Sequence, residues 1–295
     1  MANARALDKR RKSIKNIRKI TRTMELIATA RYKKAMDRAQ SATAYTKQIT
    51  KIVGRLAAAG MDVKHPLLES RENVDSARVL VLSSNRGLCG GYNGSVVRTA
   101  LPRIAELSQQ TSDDTVVDVA GKRGITGLKT KGIEAAQTFL QFEDQPKFDD
   151  VEAIANDYLA RYTTGEIDRL DVVYTKFIST SRQVATIETL LPLGSIDVGE
   201  EDTEAGGGNS EYEFLPSASS ILDEVVPTSF KVRLFKCFLD AAVSEQVARM
   251  IAMKGATESA GDMIKQLSMT YNRARQSQMI GEIMEIIGGV EALEG

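Results

Sequence analysis

IKNIRKITRTMELIATARYKKA, residues 14–35, repeats a small or apolar side chain every seven residues and holds no proline or glycine to stop a helix. Ile14, Thr21, Ala28 and Ala35 form one column, and Ala42, Ile49 and Leu56 continue it. Three residues after each stands the expected companion column: Ile17, Met24, Arg31, Arg38, Tyr45, Ile52 and Ala59. Such a heptad predicts a coiled-coil seam, here a thin one, because Ala and Thr bury little area and Arg31 and Arg38 interrupt it. The proline-free run extends from about Asn3 to Ala59, and a second covers about Thr228 to Val290. Val243, Val247, Met250, Ile264, Leu267, Tyr271, Ile283, Ile287 and Val290 gather near one face of the second run. Two such rods at opposite ends of one chain predict an antiparallel pair, the shape of a shaft, with a compact middle between them. Met250, Met253, Met263, Met269, Met279 and Met284 spread around the second rod. They fit either core filling or a surface that repacks against changing partners.

Between the rods the period shortens. Arg78–Ser84, Thr115–Ala120, Leu170–Ile178 and Val184–Leu193 are β-branched runs bounded by turn residues, while Tyr92–Gln110 and Asp149–Thr164 have helical spacing. Strands alternating with helices predict a Rossmann-like α/β domain with a mainly parallel sheet. The expected organisation is a coiled-coil helix over 1–60, the α/β domain over 74–215, and a helical region over 218–295 that completes the coiled coil.

After the first strand comes Ser84-Asn85-Arg86-Gly87-Leu88-Cys89-Gly90-Gly91-Tyr92-Asn93-Gly94. A glycine-rich strand-to-helix turn is where an α/β protein cradles phosphate. Neither G-x-G-x-x-G nor G-x-x-x-x-G-K-[ST] is met, however, so a tight turn or a docking surface is expected ahead of a phosphate-binding turn in an enzyme. His65, the single histidine, precedes Pro66 at a helix exit, and no nucleophile–base pair or carboxylate dyad accompanies it. Catalysis, cofactor and metal are therefore not expected. Cys89 and Cys237 stand far apart and fit no metal spacing, which predicts reduced thiols.

The formal net charge of zero conceals an asymmetry. Residues 1–38 hold thirteen Lys/Arg against Asp8, Glu25 and Asp37; residues 197–224 hold nine Asp/Glu and no Lys or Arg. The basic rod has the electrostatic footprint for nucleic acid, which makes a nucleic-acid-binding coiled coil the alternative reading. With 5% aromatics and no Trp, helix-rich packing is favoured over a sandwich or an aromatic base-stacking platform. The segment Glu200–Gly208, within an acidic glycine-rich stretch near 197–213, reads as a flexible surface loop. Residues 1–38 are acid-poor like a transit peptide, but the period continues past Ala42 without a cleavage-like break.

Four blocks, in order, resemble one family. Ile20-Thr21-Arg22-Thr23-Met24-Glu25-Leu26-Ile27-Ala28-Thr29-Ala30-Arg31-Tyr32-Lys33-Lys34-Ala35 is similar to ITxAMxxVAxxKxxKA, and Ser84–Gly91 is similar to SDRGLCGG. Ser244–Met253 is similar to SExxARMxAM, and Asn272–Gln276 through Glu282, Glu285 and Gly289 is similar to NxxRQxxITxExxEIxxGA. These are blocks of the gamma subunits of F-type ATP synthases. Thr23, Asn85, Ile280 and Val290 depart from the family's alanine, aspartate, threonine and alanine. Ile280 lacks the hydroxyl that in the family faces the catalytic head.

The resemblance implies a bent, asymmetric axle inside a ring of three alpha and three beta subunits. Its α/β domain would bear on the epsilon subunit and the membrane-embedded c ring. Ion flow, of protons or sodium, would turn the axle, and its unlike faces would drive each beta subunit through successive states. The subunit itself would be non-catalytic, bind no nucleotide or nucleic acid, and lie peripherally on the cytoplasmic face of a bacterial plasma membrane. Matched residue by residue, Met24, Arg275, Gln276, Glu282, Arg249 and Arg86 are the expected partner contacts.

Overall fold

The computed structural model describes residues 4–58, 66–68, 71, 74–111, 115–142, 145–193 and 218–294. The acidic stretch near 197–213, His65 and Ala59 lie outside the described residues, as do the side chains of Tyr45, Ile49, Ile52 and Leu56. The elements run α1 (Ala4–Ala58), β1 (Ala77–Leu82), α2 (Tyr92–Gln110), β2 (Val116–Ala120), α3 (Lys122–Lys129), β3 (Gln137–Phe139), α4 (Phe148–Thr164), β4 (Arg169–Ser179), β5 (Arg182–Leu191) and α5 (Ala218–Glu294). Contacts divide the chain into two compact units, one of residues Met1–Thr29 with Arg249–Gly295, the other of Ala30–Ala248.

In the second unit the five strands are ordered β3-β2-β1-β4-β5. The first four are parallel and β5 pairs antiparallel with β4, so the mainly parallel α/β reading holds. β1 is buried on both faces, as a central parallel strand must be. Its Ala77, Val79 and Val81 pack with Val96, Ala100, Ile104 and Leu107 of α2 and Leu128 of α3. Leu80 and Leu82 pack on the opposite face with Tyr158 and Tyr162 of α4 and with Phe230, Leu234 and Phe238 of α5. The period of two thus assigns alternate residues of one strand to two separate cores. Two short elements escaped the sequence reading. α3 has eight residues and β3 three, too few for a period to repeat. α5 begins at Ala218, where the expected helical region starts, and runs through Pro227 ahead of the proline-free run from Thr228.

The seam of α1 needs one correction. Thr21, Ala28 and Ala35 are buried as expected, but the companion column comes four residues later, not three, at the buried Glu25 and Ala39 with the half-buried Tyr32 between them packing on the core. Ile17 is 45% exposed, Arg38 is exposed, and Met24 and Arg31 sit half-buried at the flank. A column repeating every seven residues admits a partner three or four positions on, and the bulky Ile17 and Met24 favour the wrong choice. Close approach decides it, because small residues must meet. In the first unit the Thr257 hydroxyl donates to that of Thr21 at 2.8 Å, and Arg18 lies across Gly261. In the second, Ala35 and Ala39 pack on Leu239, Val243 and Val247.

A second correction concerns α5. Val243 and Val247 are buried, and Met250, Ile264, Leu267 and Tyr271 half-buried, as expected of seam members. Ile283, Ile287 and Val290 are all exposed. The pairing of Thr21 with Thr257 and of Arg11 with Tyr271 is antiparallel. It sets Ala4, the first described residue of α1, level with roughly residue 276, beyond which no described residue of α1 pairs with α5.

Candidate functional site

The glycine-rich turn after β1 is held by side chains that reach three strand ends. Asn85 donates from Nδ2 to the carbonyl oxygens of Leu140 and Phe142, 3.1 and 2.8 Å away. The amides opening α3 already have protein acceptors. Lys122 N–H donates to Asn85 Oδ1 (3.1 Å), Arg123 N–H to the Ser84 carbonyl (3.0 Å) and Gly124 N–H to Ser83 Oγ (2.8 Å). These bonds tie the turn after β1 to the start of α3 and occupy the α3 amides that could otherwise meet an anion. Gly121 has φ of +97°, and a Cβ there would stand 2.2 Å from the Ser83 carbonyl oxygen, so only glycine fits. Arg86 is exposed on this turn, its carbonyl accepting from Ser84 Oγ at 2.6 Å.

The other five expected contact residues belong to the first unit. Met24 and Arg249 are half-buried, while Arg275, Gln276 and Glu282 are exposed. Arg275 and Glu282 are seven residues apart, so they share a face of α5 two turns apart. Arg249 lies 26 residues before Arg275, roughly 39 Å along the helix. Glu282 accepts from Gln278 Nε2 at 2.9 Å. The residues are strung along a rod and do not converge on a pocket, an arrangement suited to successive surface contacts and not to chemistry.

Two features of this unit were not among the expected contacts. Lys12, Lys15, Arg18, Lys19 and Arg22 of α1 line an open groove of about 1000 Å³ whose other wall includes Thr257 and Ile264. Some of that charge is tethered. Lys12 lies 2.9 Å from Asp8 and holds its carboxyl below the usual carboxylate range, and Arg22 pairs with Glu25 at 2.7 Å. The second feature is the end of α5, where Met279, Ile280, Ile283, Met284, Ile286, Ile287 and Val290 are all exposed, Ile286 by 68%. The signal for it was in the lengths of the two runs. Apolar residues spaced for a seam continue past the point where the first run can reach.

A family model described as ATP synthase matches residues 3–293. An ATP synthase gamma chain of Rhodopirellula baltica is 77% identical, with the whole of both chains covered. The chain belongs to the family of ATP synthase gamma chains. A second gamma chain, from Rhodospirillum rubrum, is 36% identical across 99% of this chain and all of that one. Among solved structures, a chain of the Euglena gracilis mitochondrial ATP synthase (OSCP/F1/c-ring, rotational state 3) superposes with a TM-score of 0.63. It covers 98% of this chain and 94% of that one at 18% identity, a likeness of fold. A chain from the Tetrahymena thermophila mitochondrial ATP synthase central stalk and c ring gives 0.56 at 19% identity, over 80% of this chain and 99% of that one. Nothing in these likenesses supports a nucleic-acid role for residues 1–38. No described helix of this gamma-family chain is long and apolar enough to cross a membrane.

Proposed function

We propose that the chain is the central rotor shaft of an ATP synthase, passing rotation of a membrane-embedded c ring to a head of three alpha and three beta subunits. The exposed apolar end of α5 carries this reading. Seven large apolar residues within twelve positions are exposed there, a patch that marks a surface for a partner to cover. An enclosing alpha–beta ring would be such a cover, and an apolar inner wall would slide past Ile and Met side chains without specific polar ties. The basic groove on α1 gives the shaft a charged side unlike its other faces. Unlike faces are what a rotor needs, because a shaft shifts a conformational equilibrium only through contacts that differ between states.

On this reading Met24, Arg249, Arg275, Gln276 and Glu282 meet the alpha and beta subunits. Arg86 lies with the α/β domain, which bears on the epsilon subunit and the c ring. The chain breaks no bond and holds no nucleotide, and it sits peripherally on the cytoplasmic face of a bacterial plasma membrane through the complex. Co-expression with alpha and beta subunits tests the assignment, and recovery of a stoichiometric complex is the expected result. In that complex Met24→Lys sets a cation against the basic side of α1 and should lower the ions pumped per ATP while leaving assembly intact. Unchanged coupling would remove Met24 from the contact set, and failure of the native chain to assemble would end the reading.

A further inference from the structure

α2 and α3 lie side by side on one face of the sheet, and an open groove of about 570 Å³ runs between them. Its floor is Val97 and Leu101 of α2 with Gly127 of α3. A Cβ on Gly127 would come to 3.0 Å from Val97 Cγ2, so the glycine lets the two helices settle together and keeps the floor low. Arg98 stands on one wall and Arg123 and Lys131 on the other, all three exposed. The charge here has a single sign. Residues 76–105 and 119–133 contain eight Lys/Arg and no Asp or Glu. Arg78 and Arg103 among them pair with the buried Asp118 and Asp171. The other six are exposed in a chain whose net charge is zero.

An apolar floor between cationic walls selects against a simple anion, which would leave the floor wet, and against a neutral helix, which would leave the walls unmatched. From Arg123 to Lys131 the wall runs roughly 12 Å, two turns of a helix laid along it. A docked helix would set residues i and i+4 on the floor and its flanking positions against the walls. We propose that the α2–α3 groove docks an acidic amphipathic helix of a partner protein. Its apolar stripe lies on Val97, Leu101 and Gly127, and its carboxylates meet Arg98, Arg123 and Lys131. The site is separate from the shaft contacts and stands whether or not they are assigned correctly.

The test uses the full-length chain and a fluorescent helical peptide of about 15 residues. The peptide has Leu at positions i and i+4 and Glu on both flanks; its counterpart carries Gln for Glu. The Glu peptide is expected to bind with an affinity that falls as salt is added, and the Gln peptide at least about tenfold more weakly. Arg98→Glu together with Lys131→Glu should cost a similar factor. Thr126→Trp, at an exposed groove position, fills the cleft without changing its charge and should also abolish binding. Circular dichroism checks the fold, and Arg98→Gln replaces the charge reversal if that variant fails to fold. Equal binding of the Glu and Gln peptides, or native-like binding by either groove variant, would overturn the proposal. So would failure of the Glu peptide to bind while phosphatidylglycerol vesicles do so in a manner lost on charge reversal, since the groove would then serve a lipid surface.

Discussion

The Tyr92 hydroxyl donates a 3.1 Å hydrogen bond to the carbonyl oxygen of Ala241, joining the residue that opens α2 to the first third of α5. Both residues are buried. Ser244 Oγ donates to the Thr175 carbonyl at 3.0 Å, and Lys231 and Arg233 pair with Glu152 and Glu188. α5 is thereby tied to α2, α4, β4 and β5 by direction-specific bonds on top of a shared apolar core. Tyr92→Phe keeps the ring and removes one bond, so chemical denaturation should show a loss of about 1 kcal/mol. No loss would mean that the core alone fixes α5.

Asp118 is fully buried on β2 and accepts from Arg78 Nη1 (2.9 Å), Tyr158 Oη (2.8 Å) and Gln137 N–H (3.1 Å). Asp118→Ala leaves the guanidinium of Arg78 unpaired in the interior, and unfolding free energy should fall by about 3–5 kcal/mol. Replacing both partners with apolar residues, Asp118→Leu with Arg78→Met, should recover most of that loss. A double variant as unstable as the single one would show that the pair does more than neutralise itself.

Asp240 is buried on α5, and that burial pushes its carboxyl from 3.8 up to about 6, with Lys236 and Lys176 pulling it down and Glu188 pushing it further up. The folded value is the higher one, so the fold disfavours the charged form. That penalty is absent below about pH 4, grows between pH 4 and 6, and is full above pH 6. Asp240→Asn should therefore match the native chain at pH 4 and exceed it at pH 7.5 by an amount on the order of 2 kcal/mol. Urea midpoints across that range decide it, and a gain independent of pH would point to hydrogen bonding instead.

Cys237 is buried with its thiol pushed well above the usual range by that burial, and Cys89 is buried with Asn93 Nδ2 donating to its sulfur at 3.1 Å. Neither is placed to serve as a redox handle. ATPase activity of a complex containing this chain should not change with dithiothreitol. A several-fold activation that disappears in a Cys89→Ser, Cys237→Ser double variant would refute this.

Past roughly residue 276, no described residue of α1 lies level with α5, and an isolated helical end is marginal in water. Hydrogen exchange on the free chain should show rapid exchange over residues 278–290 and strong protection in β1 and β4, whose cores are closed. Slow exchange over 278–290 without partners would mean that the end of α5 is self-sufficient.

Periodicity alone was enough for the parallel sheet, because β1 and β4 are buried runs of branched residues. It was also enough for α2, whose observed span, Tyr92–Gln110, is the one expected. The local residues likewise favoured a tight turn after β1, since the glycine spacings of the phosphate motifs are missing, and the bonds of Asn85 and Ser83 show how that turn is held. Whether Glu25 or Met24 enters the seam was not legible, because one heptad column fits a companion on either side. The choice rests on how closely α5 can approach Ala28, Ala35 and Ala39.

By itself, then, the amino-acid order determined which of the longer segments are helix and which are strand, since these follow from spacings of 2 and 3.6 within a dozen neighbours, while α3 and β3 are too short to show a period. It also carried the motifs that mark the gamma family. Only the tertiary structure decided that Ile283, Ile287 and Val290 face water. A side chain's exposure depends on where another segment ends, and the end of α1 lies some 280 residues away from them in sequence. The same holds for the α2–α3 groove, whose floor exists because Gly127 lets Val97 come close across a strand and a turn. Contacts between distant segments are properties of the folded chain, and no local period encodes them.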